Sequence, residues 1–575
     1  MHINRIKVRN FRNLANIDLR IHPGTVIVGE NRAGKSNLLH ALRLILDPSF
    51  SYSDHQLRRE DFWDGLSDGS DDWDPLVSGE VIEASIEIVD FADDSRLVAA
   101  LADALLEEDP PRARLTYRFA PVDTGEKNKA GFPKYQGQIF GGDNEELRIS
   151  SRLRRYLHLQ FLPALRDVES DIRSWRNSPL RDLLEAAARA VSEDNLSTVR
   201  QAMKDANNEL NTLTEIKDLG DAISDRLLDM IGPYQALQTE LAVAPDDPLR
   251  LIRNMRLFVD GDAHRNLSSA SLGTLNVLYL TLLELGLQTR LLDSDIAHVV
   301  MAIEEPEAHL HPHLQRLIFR RLLAARTESH TVLVTTQSPH IASVADPKSL
   351  MVLRTVDGAT SAAAARDADL TQPEWDDIAR YLDATRAELV FARKVLLVEG
   401  FAEQVLVPRL AATLGMDLDK LGISVCAIHG THFSSYVRFC EALGIPWALF
   451  TDGDAVDEDG ESKGHRRATD LMATLSSYGD PADHGIFVGT TTFEYDILAG
   501  GDGNITSCFD TLRDLCAQPS QRAIASWNNQ APRYDDFMKM ITNAGGKGRY
   551  AQRLALRAIH PPEYVADALG YLARP

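Results

Sequence analysis

Apolar and polar residues alternate over positions 2–8 and again over 15–21, the period of two half-buried strands that pair. Thr25 to Val28 is a short apolar run that ends in a glycine-rich turn, and Asn37 to Leu46 follows with helical periodicity, so a strand, loop, helix unit is predicted. Further strands are expected at Val81 to Val89 and Leu115 to Phe119, with Asp123 to Gly142 as a long hairpin loop and the first block closing near Phe161. From about Glu169 to Leu241 the pattern turns helical with charged faces, which reads as an inserted helical subdomain or dimer interface. Strand and helix alternation resumes from Leu251 to about Leu353, and the segment TVDGATSAAAARDADLTQPEW reads as a linker. In the last third, Lys394 to Val398, Ile423 to Ile428 and Trp447 to Phe450 are apolar strands separated by helical stretches, the sign of βαβ units and a parallel sheet; 485–488 adds a candidate strand.

At 575 residues the chain has the length of about four domains, and 44% hydrophobic with 25% charged residues describes a globular composition. The expected division is 1–165 and 246–385 for the two parts of one α/β domain, 166–245 for the helical insertion and 386–575 for a second α/β domain. No apolar run approaches the roughly 20 residues that span a bilayer, and the start MHINRIKVRNF lacks a signal-peptide core. Cys426, Cys440, Cys508 and Cys516 form no C-x-x-C pair, so a reduced, cytoplasmic protein without a zinc module is expected. The net charge of -23 argues against nucleic acid binding over the whole surface, but residues 61–110 alone hold 16 acidic residues and one basic residue, Arg96. That run reads as a solvated loop and sheet edge, and the charge by itself does not exclude DNA. No basic cluster is dense enough to trace a DNA path; Arg152, Arg154 and Arg155 are candidates for phosphate contacts, against the plainer reading of a solvated turn.

Gly29-Glu30-Asn31-Arg32-Ala33-Gly34-Lys35-Ser36 matches G-x-x-x-x-G-K-S between a strand and a helix, the context a phosphate loop requires. In such a loop backbone N–H groups wrap the phosphates, Lys35 neutralises them and Ser36 reaches a magnesium ion at the helix N-terminus. Gly29, Asn31, Gly34, Lys35 and Ser36 are therefore the candidate nucleotide contacts. Downstream, the apolar strand Val299 to Ile303 runs into Glu304-Glu305-Pro306-Glu307, where Glu304 suits a magnesium-linked carboxylate and Glu305 one that orients the attacking water. Between them, Ser271 and Gly273 open an apolar helix whose exposed N–H groups could hold a γ-phosphate; a simple helix N-cap is the plainer reading and would be preferred without the phosphate loop and the Glu pair. The order of phosphate loop, serine-glycine signature, EEPEAHLHP and a strand ending TTQSPH resembles the ABC-type ATPases of the SMC and RecF branch over 1–165 and about 246–355. The resemblance implies ATP sandwiched between two subunits, hence a homodimer. It also marks Gln337 as standing where the family usually has a switch histidine, which implies slow hydrolysis or recruitment of His340.

A second acidic constellation lies in the last third. Glu399 ends one strand with Glu403 a helical turn later, and Asp452 and Asp454 end another, so that carboxylates gather at the carboxyl edge of a parallel sheet. Hard oxygen donors suit magnesium or manganese, two of which can carry out phosphodiester cleavage. An EF-hand is excluded because Asp457 stands where that loop needs glycine; a solvated acidic turn is the bland alternative for Asp452 and Asp454 alone. VLLVEGFAEQVLVPRL followed by LFTDGDA resembles the Toprim fold, and an ABC-type ATPase fused to Toprim resembles the OLD (overcoming lysogenization defect) family nucleases, as does FLPALRDVESDIR at 161–173. The expected fold is thus α/β: an SMC/RecF-like P-loop ATPase with a helical insertion, plus a Rossmann-like parallel-sheet Toprim domain. The resemblance implies metal ligation by Glu399, Glu403, Asp452, Asp454 and Glu494 in TTFEYD, with Thr492 where serine is common, and a charge-stabilising role for Lys547 in GGKGRYAQ. Composition alone would leave Glu494 and Lys547 as ordinary surface residues.

Together these features imply a DNA endonuclease using ATP and Mg²⁺ or Mn²⁺, with two ions in the Toprim site and one with ATP, regulated by an ATPase dimer closed through the ATPase and helical insertion. A role in phage defence or DNA repair, with a helicase partner encoded nearby, is compatible with the resemblance. The alternative is an ATP-driven DNA-binding or clamp-type ATPase with an inactive Toprim domain.

Overall fold

The computed structural model describes residues 1–574 apart from 71–72, 123–126, 128–132, 150, 165–171, 173–177, 232–246, 254, 260–264, 292–295, 325–329, 383–385, 455–461 and 501. The FLPALRDVESDIR motif, much of the DGDAVDEDGE turn and the side chains of Arg152 and Arg155 lie largely or wholly outside the described residues.

Strands β1 (His2–Phe11) and β2 (Leu14–Arg20) pair antiparallel, with Val8 opposite Ile17, so the alternating apolar residues share one face and one core. Strand β3 (Gly24–Gly29) leaves that layer; it is buried along its whole length, which its unbroken apolar run permits in the middle of a parallel sheet. Strands β4 (Ile82–Val89), β5 (Leu105–Glu108), β6 (Pro111–Pro121) and β7 (Tyr135–Gly141) complete the first, antiparallel sheet in the order β2-β1-β4-β6-β5, with β7 also on β6. The stretch 123–142 is therefore not one long loop: Gln136, Gln138 and Phe140 alternate against β6 from Pro121 to Leu115, and cross-strand pairing overrides a Gly- and Lys-rich composition.

Strands β8 (Leu157–Leu162), β9 (His298–Glu304), β10 (His330–Thr336), β11 (Leu350–Val356) and β12 (Ala359–Ala364) build the second sheet around β3, in the order β12-β11-β3-β10-β9-β8. All its pairings are parallel except the β11–β12 hairpin. That hairpin corrects the linker expected over TVDGATSAAAARDADLTQPEW: Asp357-Gly358 supplies two positive φ values, and small alanines line an edge strand that also sits against the phosphate loop. Helix Lys35–Leu46 fills the space between the two sheets with Leu38, Leu39, Leu42 and Ile45.

Helices Pro179–Ala190, Glu193–Asn211 and Thr214–Ile231 occupy the insertion. The first is anchored to helix Leu272–Leu291 by Arg290, whose Nη2 lies 2.6 Å from Asp182. Strands β13 (Lys394–Val398), β14 (Ile423–Ala427), β15 (Trp447–Thr451) and β16 (Ile486–Val488) form the third sheet, parallel throughout in the order β14-β13-β15-β16. One apolar core runs without interruption from Val26 and Ile303 through Ile341 and Val390 to Leu397 and Leu449, so the second and third sheets share an interior. A separate core, including Phe493, Phe509, Tyr550 and Leu569, closes the other face of the third sheet with the C-terminal helices. No helix among the described residues is long and apolar enough to cross a membrane, and the four cysteines are buried thiols.

Candidate functional site

The phosphate loop is shaped by close approaches that only glycine allows. A Cβ on Gly29 would meet the Leu353 carbonyl at 2.4 Å, and Gly34, at φ 98°, faces the Thr360 hydroxyl at 2.6 Å from the same imagined atom. Thr360 donates to the Ala33 carbonyl at 3.0 Å, so the edge hairpin props the loop from below. Lys35 opens the helix with its side chain only 4% exposed; its ammonium donates to the carbonyls of Gly29 (2.8 Å) and Glu30 (3.0 Å) and lies 3.6 Å from Glu305. Burial depresses the Lys35 ammonium, and Glu305 works against that shift. Ser36 is exposed in the first helical turn.

Glu304 ends β9, where its Oε2 accepts the Ala164 N–H at 3.5 Å, and Glu305 follows in the left-handed region at φ 40°. The Glu305 N–H donates to the Thr335 carbonyl at 2.9 Å, which holds the turn and its strained backbone against β10. Gln337 spans the gap: its amide nitrogen donates to Glu305 Oε1 at 2.6 Å and to Asn31 Oδ1 at 2.8 Å, connecting the carboxylate to the phosphate loop. Glu307, which the sequence reading passed over, supports this bridge by accepting from the Thr336 hydroxyl (2.8 Å) and the Gln337 N–H (2.7 Å). Burial raises its carboxyl despite those bonds. Lys35, Asn31, Glu305 and Gln337 thus form one network. Ser271 Oγ accepts the Thr274 N–H at 3.2 Å, an N-cap contact, while a Cβ on Gly273 would meet the His309 carbonyl at 2.8 Å. The second of these contacts seats the signature helix on the turn after Glu305.

The second constellation assembles from all parts of the third sheet's edge. Glu399 follows β13, Glu403 is buried in helix Phe401–Thr413, Asp452 follows β15, and Glu494 lies fully buried in helix Phe493–Ala499. Lys547 opens helix Lys547–Leu554, its ammonium 2.9 Å from Glu494 Oε2. Glu399 Oε1 accepts from the Thr451 hydroxyl, from the Asp452 N–H (3.0 Å) and from Arg467 (3.2 Å), while Asp452 Oδ1 accepts the Phe493 N–H at 2.9 Å. The turn between Asp452 and Asp454 is packed tightly: a Cβ on Gly453 would stand 2.4 Å from the Gly489 carbonyl, and Asp454, at φ 58°, donates its N–H to Thr491 at 3.1 Å. Asp496 holds the facing loop by accepting from the N–H groups of Thr490 (2.9 Å) and Thr491 (3.0 Å) and from the Thr491 hydroxyl (2.7 Å). Thr492 turns its hydroxyl to Met538 at 3.9 Å.

Crowding of acids sets the electrostatics. Burial first, then repulsion from Glu399, Glu403 and Glu494, pushes Asp452 up to about 8, and burial with Glu494 and Glu399 pushes Glu403 up to about 7. Burial alone would lower the Lys547 ammonium, but Glu494, Asp452 and Glu403 outweigh it and raise it. Among the described residues no three His, Cys, Asp or Glu groups close to ion-holding spacing; the carboxylates are instead distributed around two side-chain cations, Lys547 and Arg467. Fully buried Glu494 has the Lys547 ammonium as its positive partner at 2.9 Å, which a carboxylate removed from water requires. The donors gathered here are all oxygens, and the burial of Glu403, Asp452 and Glu494 favours positive charge among them, a set that fits a hard divalent cation.

Sequence reading missed Arg467 because it stands 13 residues beyond Asp454 in a charged helix, KGHRRATDLMAT, that resembles any solvated helix. The two constellations are also physically connected. Arg393, one residue before β13, makes a bidentate pair with Glu30 of the phosphate loop (2.6 and 3.0 Å), and Arg354 of β11 donates to the carbonyls of Ala392 (2.6 Å) and Arg393 (3.1 Å).

Comparison with known proteins follows the same division. Residues 25–343 match the family AAA_21, described as "AAA domain, putative AbiEii toxin, Type IV TA system", and residues 390–454 match "Overcoming lysogenization defect protein-like, TOPRIM domain". The "OLD nuclease" of Thermus scotoductus is 26% identical over 484 residues, 81% of this chain and 85% of that protein. "Endonuclease GajA" of Bacillus cereus is 21% identical over 488 residues, 80% of this chain and 76% of that protein. Among solved structures, the C-terminal region of the Burkholderia pseudomallei OLD protein is 32% identical, covering 32% of this chain and 97% of that one with a TM-score of 0.29. With a P-loop domain of the AAA_21 family spanning more than half its length and an OLD-like Toprim domain behind it, the chain belongs to the OLD family.

Proposed function

We propose that the protein is an ATP-regulated DNA endonuclease whose Toprim edge holds Mg²⁺ or Mn²⁺ on Glu399, Glu403, Asp452, Asp454 and Glu494. The observation that carries this reading is the convergence of Glu399, Glu403, Asp452 and Glu494 with Lys547 on one largely buried edge, from residues up to 148 positions apart in the chain. Such ions, when bound, activate a water and stabilise the leaving oxygen of a phosphodiester. The chain's own residues prepare that chemistry: Asp452 and Glu403 are desolvated so that a cation is favoured among them, and Lys547, protonated and 45% exposed, is placed to offset charge on a bound phosphate.

In the ATPase half, Lys35 and the loop N–H groups would hold the phosphates, Ser36 and Glu304 the magnesium ion, and Glu305 would orient the attacking water. Gln337 would keep Glu305 aligned through their hydrogen bond. Ser271 and Gly273, which open a helix seated on the turn after Glu305, are suited to the nucleotide of a second copy, and the working form would then be a homodimer. The Glu30–Arg393 pair gives nucleotide binding a route to the base of β13. A cytoplasmic role in phage defence or repair is consistent with this combination, with or without a helicase partner.

The test is cleavage of supercoiled plasmid by wild type and Asp452→Ala, in Mg²⁺, Mn²⁺ or EDTA, with and without ATP. Metal-dependent nicking that disappears in Asp452→Ala while ATP hydrolysis persists supports the reading. No cutting under any condition, with ATP hydrolysis intact, would replace it with the clamp-type ATPase.

A further inference from the structure

Arg467 is placed where a solvated helix would not need it. From helix Lys463–Thr474 it reaches back over the acidic turn, with its side chain 22% exposed. Nη1 donates to Asp454 (2.7 Å); Nη2 donates to the Thr451 hydroxyl (2.7 Å), the Asp452 carbonyl (2.7 Å) and Glu399 (3.2 Å); Nε donates to the Thr451 hydroxyl (3.1 Å). Two carboxylates and three further oxygen contacts thus surround one guanidinium, the donor chemistry a hard cation also uses. The cluster is divided between its cations: Lys547 takes Glu494, and Arg467 takes Glu399 and Asp454. On its other side Arg467 borders a cavity of about 200 Å³, lined also by His432, Asp470 and Thr474. Asp470 lies one turn further along the same helix and offers a second carboxylate within reach of a rotated side chain.

We propose that Arg467 is a resident cation that competes with a divalent ion for Glu399 and Asp454, and that it swings into the Asp470 cavity when that ion binds. This rests on the metal reading above. Glu399 and Asp454 then become available to the ion only as Arg467 leaves them, so one residue raises the metal concentration the site demands. Two positive groups cannot share the same oxygens without mutual repulsion, so the ion must overcome the arginine's charge-assisted bonds.

The experiment is Mn²⁺ titration calorimetry on the nucleotide-free full-length chain: wild type, Arg467→Ala, Arg467→Gln and Asp452→Ala, with ATP hydrolysis as the folding control. Arg467→Gln keeps polar contacts at Thr451 without the charge. The expected result is a weaker Mn²⁺ component in wild type that tightens roughly tenfold to a hundredfold in both Arg467 variants, the ratio that charge-assisted bonds of this kind represent. Unchanged or weaker binding would overturn the proposal and make Arg467 a fixed support. Absence of Asp452-dependent Mn²⁺ binding in wild type would overturn the metal reading and this inference together. Phenylglyoxal labelling of the wild-type chain, mapped by mass spectrometry, needs no variant: Arg467 is expected to react faster in Mn²⁺ than in EDTA, and equal or slower reaction counts against displacement.

Discussion

Gly453→Ala isolates the geometry of the acidic turn from its charge, because it leaves every carboxylate in place. The added Cβ would stand 2.4 Å from the Gly489 carbonyl and 2.6 Å from the Thr490 carbonyl, both backbone atoms that cannot rotate aside. An ordinary carbon contact begins near about 3.5 Å, so the two segments must part by about 1 Å. The bonds across the same seam, Asp454 N–H to Thr491 (3.1 Å) and Phe493 N–H to Asp452 (2.9 Å), would stretch with them. Overpacking of this kind costs about 1–3 kcal/mol locally, and a displacement of about 1 Å at reacting groups costs about a hundredfold in rate. The assay is Mn²⁺-dependent plasmid nicking beside ATP hydrolysis, with Gly503→Ala as a control whose Cβ meets nothing within 4 Å. The expected outcome is a loss of nicking of about two orders of magnitude in Gly453→Ala, with ATP hydrolysis and the control unchanged. Nicking within threefold of wild type, at about 0.7 kcal/mol of barrier, would refute the claim that this turn sets the reacting geometry.

Glu305→Gln should retain ATP binding, measured with a fluorescent analogue, while hydrolysis falls by about 10²-fold or more, since the carboxylate that accepts from Gln337 can no longer orient water as a base. Lys547→Met should lower the thermal midpoint in EDTA by leaving fully buried Glu494 uncompensated; because Lys547 is 45% exposed the cost is about 1–3 kcal/mol, and adding Glu494→Gln should recover most of it. His40, packed edge-on against Phe11 and Phe50, is depressed to about 4 by burial and by Arg12 and Arg43, against an ordinary 6.5. Between those values the unfolded chain takes a proton that the folded chain refuses, so stability falls as pH drops through that window, by up to about 1.4 kcal/mol per pH unit. Denaturation of His40→Phe from pH 6.5 to 4.5 should show a shallower loss than wild type; an identical slope would exclude His40 as a contributor.

The phosphate loop was legible in the linear chain because its chemistry is local: eight contiguous residues supply the turn, the cation and the helix start. The same holds for the strand ends at Glu399 and Asp452, where an apolar run stops at an acid and the parallel sheet brings neighbouring ends together. The Ala-rich segment 359–364 was read as a linker because nothing in its composition signals a strand; its structure comes from pairing with β11 and from Thr360 meeting Gly34, partners that local periodicity does not encode. Glu494 illustrates the same limit. Alone it is one acid among 84 acidic residues, and only the closure of the C-terminal helices buries it and sets Lys547 2.9 Å away. Arg467 and Glu307 were invisible for that reason too. Their roles exist only as distances to oxygens on other elements, and Coulomb energy in a partly buried crevice depends on separation in space and on excluded water, neither of which is written along the chain.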